Sequence, residues 1–553
     1  MAYTIKPHDI KTITELHDRY WEDKEHTMFQ YKCAYETDFW ERNRLGSDMQ
    51  IVIQTADAYG YIESYIASLF ARNPGVIVKS DIRGTGDPRK AQELVNDFLI
   101  GHRAAIEDAS RLALIYPNSF MKMMPVANPD IYRRMDITAL NPWDVILDRD
   151  AKRYEDMRYI GHRYFLPLHE AKAKFGNKDY APIARRSYFD RYNANDTVDY
   201  AGTNEMFLYI EVIEFYDLVN DLIMFYTPQW GQGEKFLDKE MIPFRDHLGK
   251  PVIPIIPFYF NRKPDNPIDG YSAMKRIYDQ IYETNLIRTF QANGVRKASR
   301  QYIVKRGTFD EESMAQVTSG IDGLFIEVDD DDLAGAIRAM PQNPTPPELQ
   351  TYYDQVQRDK DKGSIMAPFT RGEATRSSAT EIAALAAYTS SEVGRLARER
   401  DATIELVASA YINILAVYMD EEDTKDIVIL DNRDEIVRAS DLRGNFQFFA
   451  QDQASTPISE SVRKREFIQS IPTLQGLGVP NDVLLSEMVR ALGLPESFIA
   501  DANKAKQAQA NQISAAKAEA SGSAVRPDVV EVQQGMQPAG PNTLNQILNT
   551  GEG

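Results

Sequence analysis

The sequence predicts a mixed α+β, helix-dominated fold, and three observations carry that expectation. The first is residues 371–420, RGEATRSSATEIAALAAYTSSEVGRLARERDATIELVASAYINILAVYMD, in which Ile382, Leu385, Val393, Leu396, Ile404, Val407, Tyr411, Ile414 and Tyr418 recur at helical spacing. The second is the absence of proline between Pro368 and Pro457. One helix over 378–419, opened by a Ser378–Glu381 capping box, would therefore run roughly 60 Å, with Gly394 its expected bend. A helix of that length suits a spine better than a compact enzyme core. The third is EMFLYIEVIEFYDLVNDLIMFYTPQW, whose apolar positions alternate on either side of Val219-Asn220-Asp221 and read as a β-hairpin.

The remaining elements follow in order. Residues 1–72 read as helical, with Ile53, Ala56, Tyr59, Ile62, Tyr65, Ile66 and Leu69 expected on one face, and Asn73-Pro74-Gly75 ends the pattern. VIVKS is a short strand, and AQELVNDFLIGHRAAIEDASRLALIYP reads as one helix. Between them, Gly84-Thr85-Gly86 is too short for a phosphate loop and is taken as a turn. Residues 121–126 are extended, and Phe165-Leu166-Pro167 precedes the helix LHEAKAKFG. PVIPIIPFYFNRKPDNPIDGYSA carries too many prolines for a central strand and reads as a rim or linker. From Ser272 a helix turns Met274, Ile277, Ile281 and Leu286 inward. QYIV and GLFIEV read as strands, PQNPTPP as a stiff connector, and ELQTYYDQVQRDKDK as a further helix. After the long helix come strands in DIVIL and EIVRASDLRGNFQFFA and two shorter helices, SESVRKREFIQSI and NDVLLSEMVRALGL. An Ala/Gln/Lys segment follows, and the composition after about 522 is that of a disordered tail.

Composition and motifs exclude more than they assign. The chain has 553 residues, 43% of them hydrophobic and 26% charged, too many for one core and typical of globular domains. Its start has neither the basic nor the apolar region of a signal peptide, and no apolar run reaches membrane-spanning length. Cys33 stands alone, which excludes an internal disulfide or a multi-cysteine zinc site. A net charge of −19 argues against a general nucleic-acid coat; it does not exclude a surface that DNA slides past without sticking, but on charge alone solubility is the better reading. His162, His169 and Glu170 have no metal-ligand spacing, and the acidic run 329–332 lacks the alternation and glycine of a calcium loop. No phosphate loop, H-E-x-x-H, G-x-S-x-G or cysteine–histidine pairing occurs, and seven scattered histidines offer no evident base. No cofactor is expected.

Four phrases and their order carry a family resemblance. NPWDVILDRDAKRYEDMRYIGHRYFLPLHEAKAKFG, GYSAMKRIYDQIYETN, ATRSSATEIAALAAYTSSEVGRLARER and DLRGNFQFFAQDQAST are similar to wing, stem-entry, wing-helix and crown-leading segments of tailed-bacteriophage portal proteins, the head-to-tail connectors. The order helix, small α/β insert, helix, loop, long helix over 272–420 resembles their stem, clip, second stem helix, tunnel loop and wing helix. The resemblance covers about residues 50–500 and implies a wing, stem, clip and crown around a central channel in a ring. The implied divisions are a wing region 1–268, first stem helix 269–300, clip 301–345, second stem helix 346–362 and tunnel loop 363–377. A kinked wing helix and hairpin 378–455, crown helices 456–500 and a tail 501–553 complete them.

What the resemblance implies about function is specific. The chain would be a non-enzymatic virion protein forming a homo-oligomer of about twelve subunits by heterologous contacts. Its partners would be the major capsid and scaffolding proteins, the terminase packaging motor, tail adaptor proteins and double-stranded DNA contacted without sequence specificity, with no membrane. Lys360, Lys362, Arg371 and Arg376 are the expected DNA-facing cations at the tunnel loop and its base, although charges at loop bases are as commonly salt-bridged. Tyr302, Val304, Phe325 and Glu327 are the expected clip positions for motor or adaptor docking. The alternatives are another virion structural or assembly protein, a soluble carboxylate-dependent hydrolase with paired acids in a pocket, and a coiled-coil scaffold. Arg400 interrupts the stripe that a scaffold would need.

Overall fold

The computed structural model describes residues 3–40, 51–80, 86–125, 135–184, 208–246, 248–265, 268–298, 302–304, 337–339, 347–363, 379–418, 427–430 and 433–450. Met1–Glu460 form one compact unit and Ser461–Gly553 a second. The second unit, with the expected crown helices and tail, lies outside the described residues.

Helix α1 (Pro7–Tyr35) opens with proline in its first turn, where a missing N–H costs nothing, and Asp9 Oδ2 accepts from the Lys6 N–H at 2.8 Å. Its inward face, including Ile10, His17, Trp21 and Met28, is buried. Helix α2 (Asp57–Leu69) starts later than the sequence suggests. It buries Ala58, Tyr61, Ile62, Tyr65, Ile66 and Leu69, while Tyr59 is half exposed and Ile53 lies in an extended lead-in. Strand β1 (Val76–Ser80) leads to α3 (Pro88–Gly101) and α4 (Arg103–Ile115). These are two helices where one was expected. Gly101 is weak in a helix, and His102 leaves helical geometry while its Nδ1 lies 2.9 Å from Phe98 O, ending the first helix with a side-chain bond.

Two antiparallel sheets follow. Strands β2 (Ser119–Pro125) and β3 (Met135–Leu140) form one with a later strand, and β4 (Val145–Leu147) and β5 (Tyr159–Pro167) begin the other. After α5 (Leu168–Phe175) come β6 (Ile183–Ala184), the expected hairpin β7 (Leu208–Asp217) and β8 (Leu222–Tyr226), β9 (Phe236–Met241) and β10 (Ile255–Phe258). The orders are β10-β2-β3 and β4-β5-β7-β8-β9, with β6 against β7. Within the proline-rich stretch, residues 255–258 thus form an edge strand, at a sheet rim and not in a central position. Its end position tolerates Pro257, yet all four of its residues are buried. In the larger sheet, Ile213 and Phe215 join Ile10 in one cluster while Ile210 and Val212 join Leu168 and Ala171 of α5 in another. Alternate residues of β7 therefore serve opposite faces.

Helix α6 (Tyr278–Ala298) is preceded by a 3-10 turn at Ala273–Arg276, capped by Ser272 Oγ accepting from Met274 N at 3.0 Å. Met274, Ile277 and Ile281 are buried as expected, but the buried face continues through Ile287 rather than Leu286. Strands β11 (Tyr302–Val304) and β12 (Ile337–Ala339) pair antiparallel, and α7 (Pro347–Gly363) follows. The second strand expected at GLFIEV lies outside the described residues, so the partner of QYIV is a later segment.

Helix α8 (Ala379–Tyr418) is continuous across Gly394. Val393, Leu396, Ile404, Val407, Tyr411 and Ile414 are buried in the main core, where Phe98 of α3 stacks on Tyr411 at 4.1 Å. Tyr418 is exposed instead. Arg400 does not interrupt the inward stripe but belongs to it: it is 2% exposed, and its guanidinium donates to Leu69 O at the C-terminal end of α2. Residues Glu392–Tyr418 are long and apolar enough to cross a membrane by length and composition, and their apolar side chains fill the core of this unit. Strands β13 (Ile427–Leu430) and β14 (Arg433–Ile436), a single turn α9 (Ala439–Leu442) and β15 (Phe446–Ala450) follow, and β15 pairs with β1. Gly86 fits this junction because a Cβ there would strike the Phe446 ring and Asp441 O, while Asp87 N donates to the same carbonyl at 2.9 Å. The fold is mixed α+β.

Candidate channel and assembly surface

Between Tyr278 and Gly363 the described elements are α6, the paired strands β11 and β12, and α7. Gln357 Nε2 of α7 donates to Thr284 Oγ1 of α6 at 3.1 Å, and Tyr302 pairs with Ala339. The two helices are covered unequally. Among the described residues of α7 only Val356 is a buried hydrophobic residue, and Tyr352 is 46% exposed. On α6, Phe290 and Val295 are 45% and 64% exposed. The exposed Phe290, Val295 and Tyr352 leave apolar surface available for other contacts.

The opposite side of α6 does something the sequence reading missed. Asn285, Thr289 and Asn293, spaced four apart, line one face and hold the extended lead-in to α2. Thr55 N donates to Asn285 Oδ1 at 2.8 Å, Ile53 N to Thr289 Oγ1 at 3.0 Å and Ile51 N to Asn293 Oδ1 at 3.2 Å, while Asn293 Nδ2 returns a bond to Ile51 O at 2.5 Å. The register works because four helical residues rise about 6 Å and two extended residues about 6.6 Å. Its signal was legible as Asn-x-x-x-Thr-x-x-x-Asn inside an otherwise amphipathic helix. These bonds anchor α6 to the body, so the thinly covered face is a fixed surface.

The expected DNA-facing cations separate. Lys360 is a strut: its Nζ lies 2.9 Å from Asp57 Oδ2, its side chain is 12% exposed, and it ties α7 to the first turn of α2. An acid in that turn is favoured by the helix dipole, which leaves Lys360 committed rather than open to a phosphate. Lys362, 79% exposed and only loosely paired to Asp359 at 3.5 Å, is open to solvent. Arg371 and Arg376 lie outside the described residues. Of the clip positions, Tyr302 and Val304 lie on β11, in register with Ala339 and Ile337, and Phe325 and Glu327 lie outside the described residues.

A cleft of about 540 Å³ lies between α8 and part of the 246–256 region, lined in part by Glu155, Asp246, Lys250, Ser409 and Asn413. His17 and His162 are buried elsewhere, and burial is the main cause that pushes each ring down to about 3. Among the described residues no group of three or more His, Cys, Asp or Glu could hold a metal ion.

No protein-family model matches the chain, and no curated protein matches it either.

Proposed function

We propose that this chain is a portal-type ring subunit at a capsid vertex of a tailed bacteriophage. It would conduct DNA during packaging and ejection and dock the packaging motor and tail adaptors. The observation that carries this reading is the path α6, β11–β12 ribbon, α7, then α8. Two contacting helices, with a small two-stranded ribbon between them in the chain and α6 held to the body, precede a long helix that ends in the body's core. Exposed Phe290, Val295 and Tyr352 on that pair offer apolar surface to neighbouring copies in a closing ring. In this reading α6 and α7 are stem helices, β11 and β12 begin and end the clip, and the 364–378 connection approaches DNA. The acidic chain keeps the duplex from sticking, with Lys362, Arg371 and Arg376 as local phosphate contacts. Capsid and scaffolding proteins meet the wing region, and catalysis is left to the motor.

Reversing Lys362, Arg371 and Arg376 to Glu, with Lys360 left in place to keep its structural pair, tests the DNA arm. Assembly of normal size with reduced packaged DNA is expected. Normal assembly with unchanged packaging and infectivity would remove these residues from the channel.

A further inference from the structure

The two-stranded ribbon of β1 and β15 has one closed edge and one open edge. On the β1 side, Val76 N donates to Asn96 Oδ1 at 2.7 Å, Asn96 Nδ2 donates back to Val76 O at 3.3 Å, and Val78 N donates to Gln92 Oε1 at 3.0 Å. Two side chains of α3, four residues apart, thus satisfy the outward backbone groups of β1. In an antiparallel pair these groups alternate, so the bonds to β15 come from Ile77 and Lys79, opposite Phe449 and Gln447. Phe446, Phe448 and Ala450 of β15 therefore turn their N–H and C=O groups away from β1. Ala450 agrees with that direction, since its N–H donates to Glu405 Oε1 of α8 at 3.0 Å. The N–H groups of Phe446 and Phe448 have no partner among the described residues.

That edge is also reachable. Val76 and Val78 are 0% and 7% exposed, whereas Ala450 and Phe448, paired with them in register, are only half-buried, so the access lies on the β15 side. On the outer face of the ribbon Ile77 and Phe449 sit opposite each other, 43% and 42% exposed. Two other sheet rims carry features that discourage strand addition. Strand β9 has Asp238, Lys239 and Glu240 in succession and a register shift against β8, and β10 has Pro257. Strand β15 reads Phe-Gln-Phe-Phe-Ala, with neither charge nor proline. Of the outer-face residues Ile77, Lys79, Gln447 and Phe449, only Lys79 is charged. Its Nζ reaches across to within 4.9 Å of the Phe449 ring, towards the open edge, and it has no ion pair among the described residues.

We propose that the open edge of β15 receives an extended, acidic segment of a second copy of this chain as an added strand. The added strand accepts from the Phe446 and Phe448 N–H groups and donates to their carbonyls, with its alternate side chains extending the Ile77–Phe449 face. Its acids meet Lys79. A chain of net charge −19 supplies such segments, so charge complementarity favours self-association at this edge. Edge and added segment are different surfaces, so the contact is heterologous. It does not depend on how many copies join or on whether they enclose a channel.

The test measures hydrogen–deuterium exchange at the individual amides of 445–450, together with sedimenting mass, on the full chain across a dilution series. In the monomer the Gln447 and Phe449 amides should exchange slowly and those of Phe446 and Phe448 fast. In the assembled species the latter two should slow by about tenfold or more, since a bonded amide exchanges only on opening. Lys79→Glu, on the exposed face, should keep the thermal midpoint and raise the concentration needed for assembly by about tenfold. Slow exchange at Phe448 already in the monomer would show that the chain closes its own edge and overturns the proposal. So does assembly without slowing, a chain that stays monomeric at every concentration, or Lys79→Glu assembling like the parent. A ring without slowed exchange removes this contact and leaves the ring reading standing, whereas slowed exchange in an assembly without a channel does the reverse.

Discussion

Lys122 of β2 reaches across to the larger sheet, where its Nζ donates to Glu214 Oε2 at 2.8 Å and to His162 Nδ1 at 3.1 Å. Facing a donor, Nδ1 must be the unprotonated nitrogen, so His162 is neutral in the fold. Burial opposes ionisation of Glu214, but Lys122 and Tyr216 outweigh it and hold its carboxyl below the usual range. His162 is pushed down to about 3, mainly by burial and then by Lys122, whereas an unfolded histidine titrates at about 6.5. The unfolded chain therefore binds a proton that the fold refuses between those values. The stabilisation is complete above about pH 6.5 and is lost as pH falls, at up to about 1.4 kcal/mol per pH unit. His17, also lowered to about 3 by burial, acts in the same direction, and Glu211, raised by burial, opposes both above about pH 4.5. Urea titrations at pH 7 and pH 5 should show a clear loss in the parent and roughly half that loss in His162→Asn, whose amide oxygen can still accept from Lys122. An unchanged loss would contradict this assignment. None of this was readable beforehand, because the partners of Lys122 lie 40 and 92 residues away. Arg400 failed for the same reason: a charged residue in an apolar stripe reads as an interruption until its acceptor, the Leu69 carbonyl, is known.

Elements were more legible where period and punctuation agreed. The hairpin around Asn220 and the helix after Pro167 combine an apolar repeat with a turn or proline signal, and the long helix ending at Tyr418 has a sustained apolar repeat, while its expected Ser378 cap lies outside the described residues. Misreadings fell where tertiary contacts overrode local pattern, as with α2, whose lead-in is extended because α6 supplies backbone partners for Ile51, Ile53 and Thr55. That clasp is testable on its own. Thr289→Val keeps the shape but leaves the Ile53 N–H without its acceptor, and should lower stability by about 1–2 kcal/mol in urea unfolding, while Thr289→Ser should recover most of it. Equal effects of Val and Ser would show that packing, not the hydrogen bond, holds the segment. Of the expected site residues, Lys362 is exposed at the end of α7 while Lys360 is taken by Asp57. No periodicity distinguishes two lysines two residues apart, since only the neighbouring α2 turn decides which is bonded.

At the scale of the molecule, the body is well filled, whereas the α6–α7 pair also carries exposed apolar side chains. Buried aromatic and aliphatic residues pack α1–α4, both sheets and α8 into continuous cores, yet α6 and α7 leave Phe290, Val295 and Tyr352 exposed. An anchored but thinly covered pair makes sense if neighbouring copies complete it, and closure then requires each copy to offer two different faces. The mass and negative-stain image of the purified full-length protein, with scaffold protein supplied if the chain alone stays monomeric, test this most directly. A ring of about twelve 62.9 kDa chains, about 0.75 MDa, with an open central channel is the expected result. A stable dimer or tetramer without a channel, unchanged by scaffold, would contradict it.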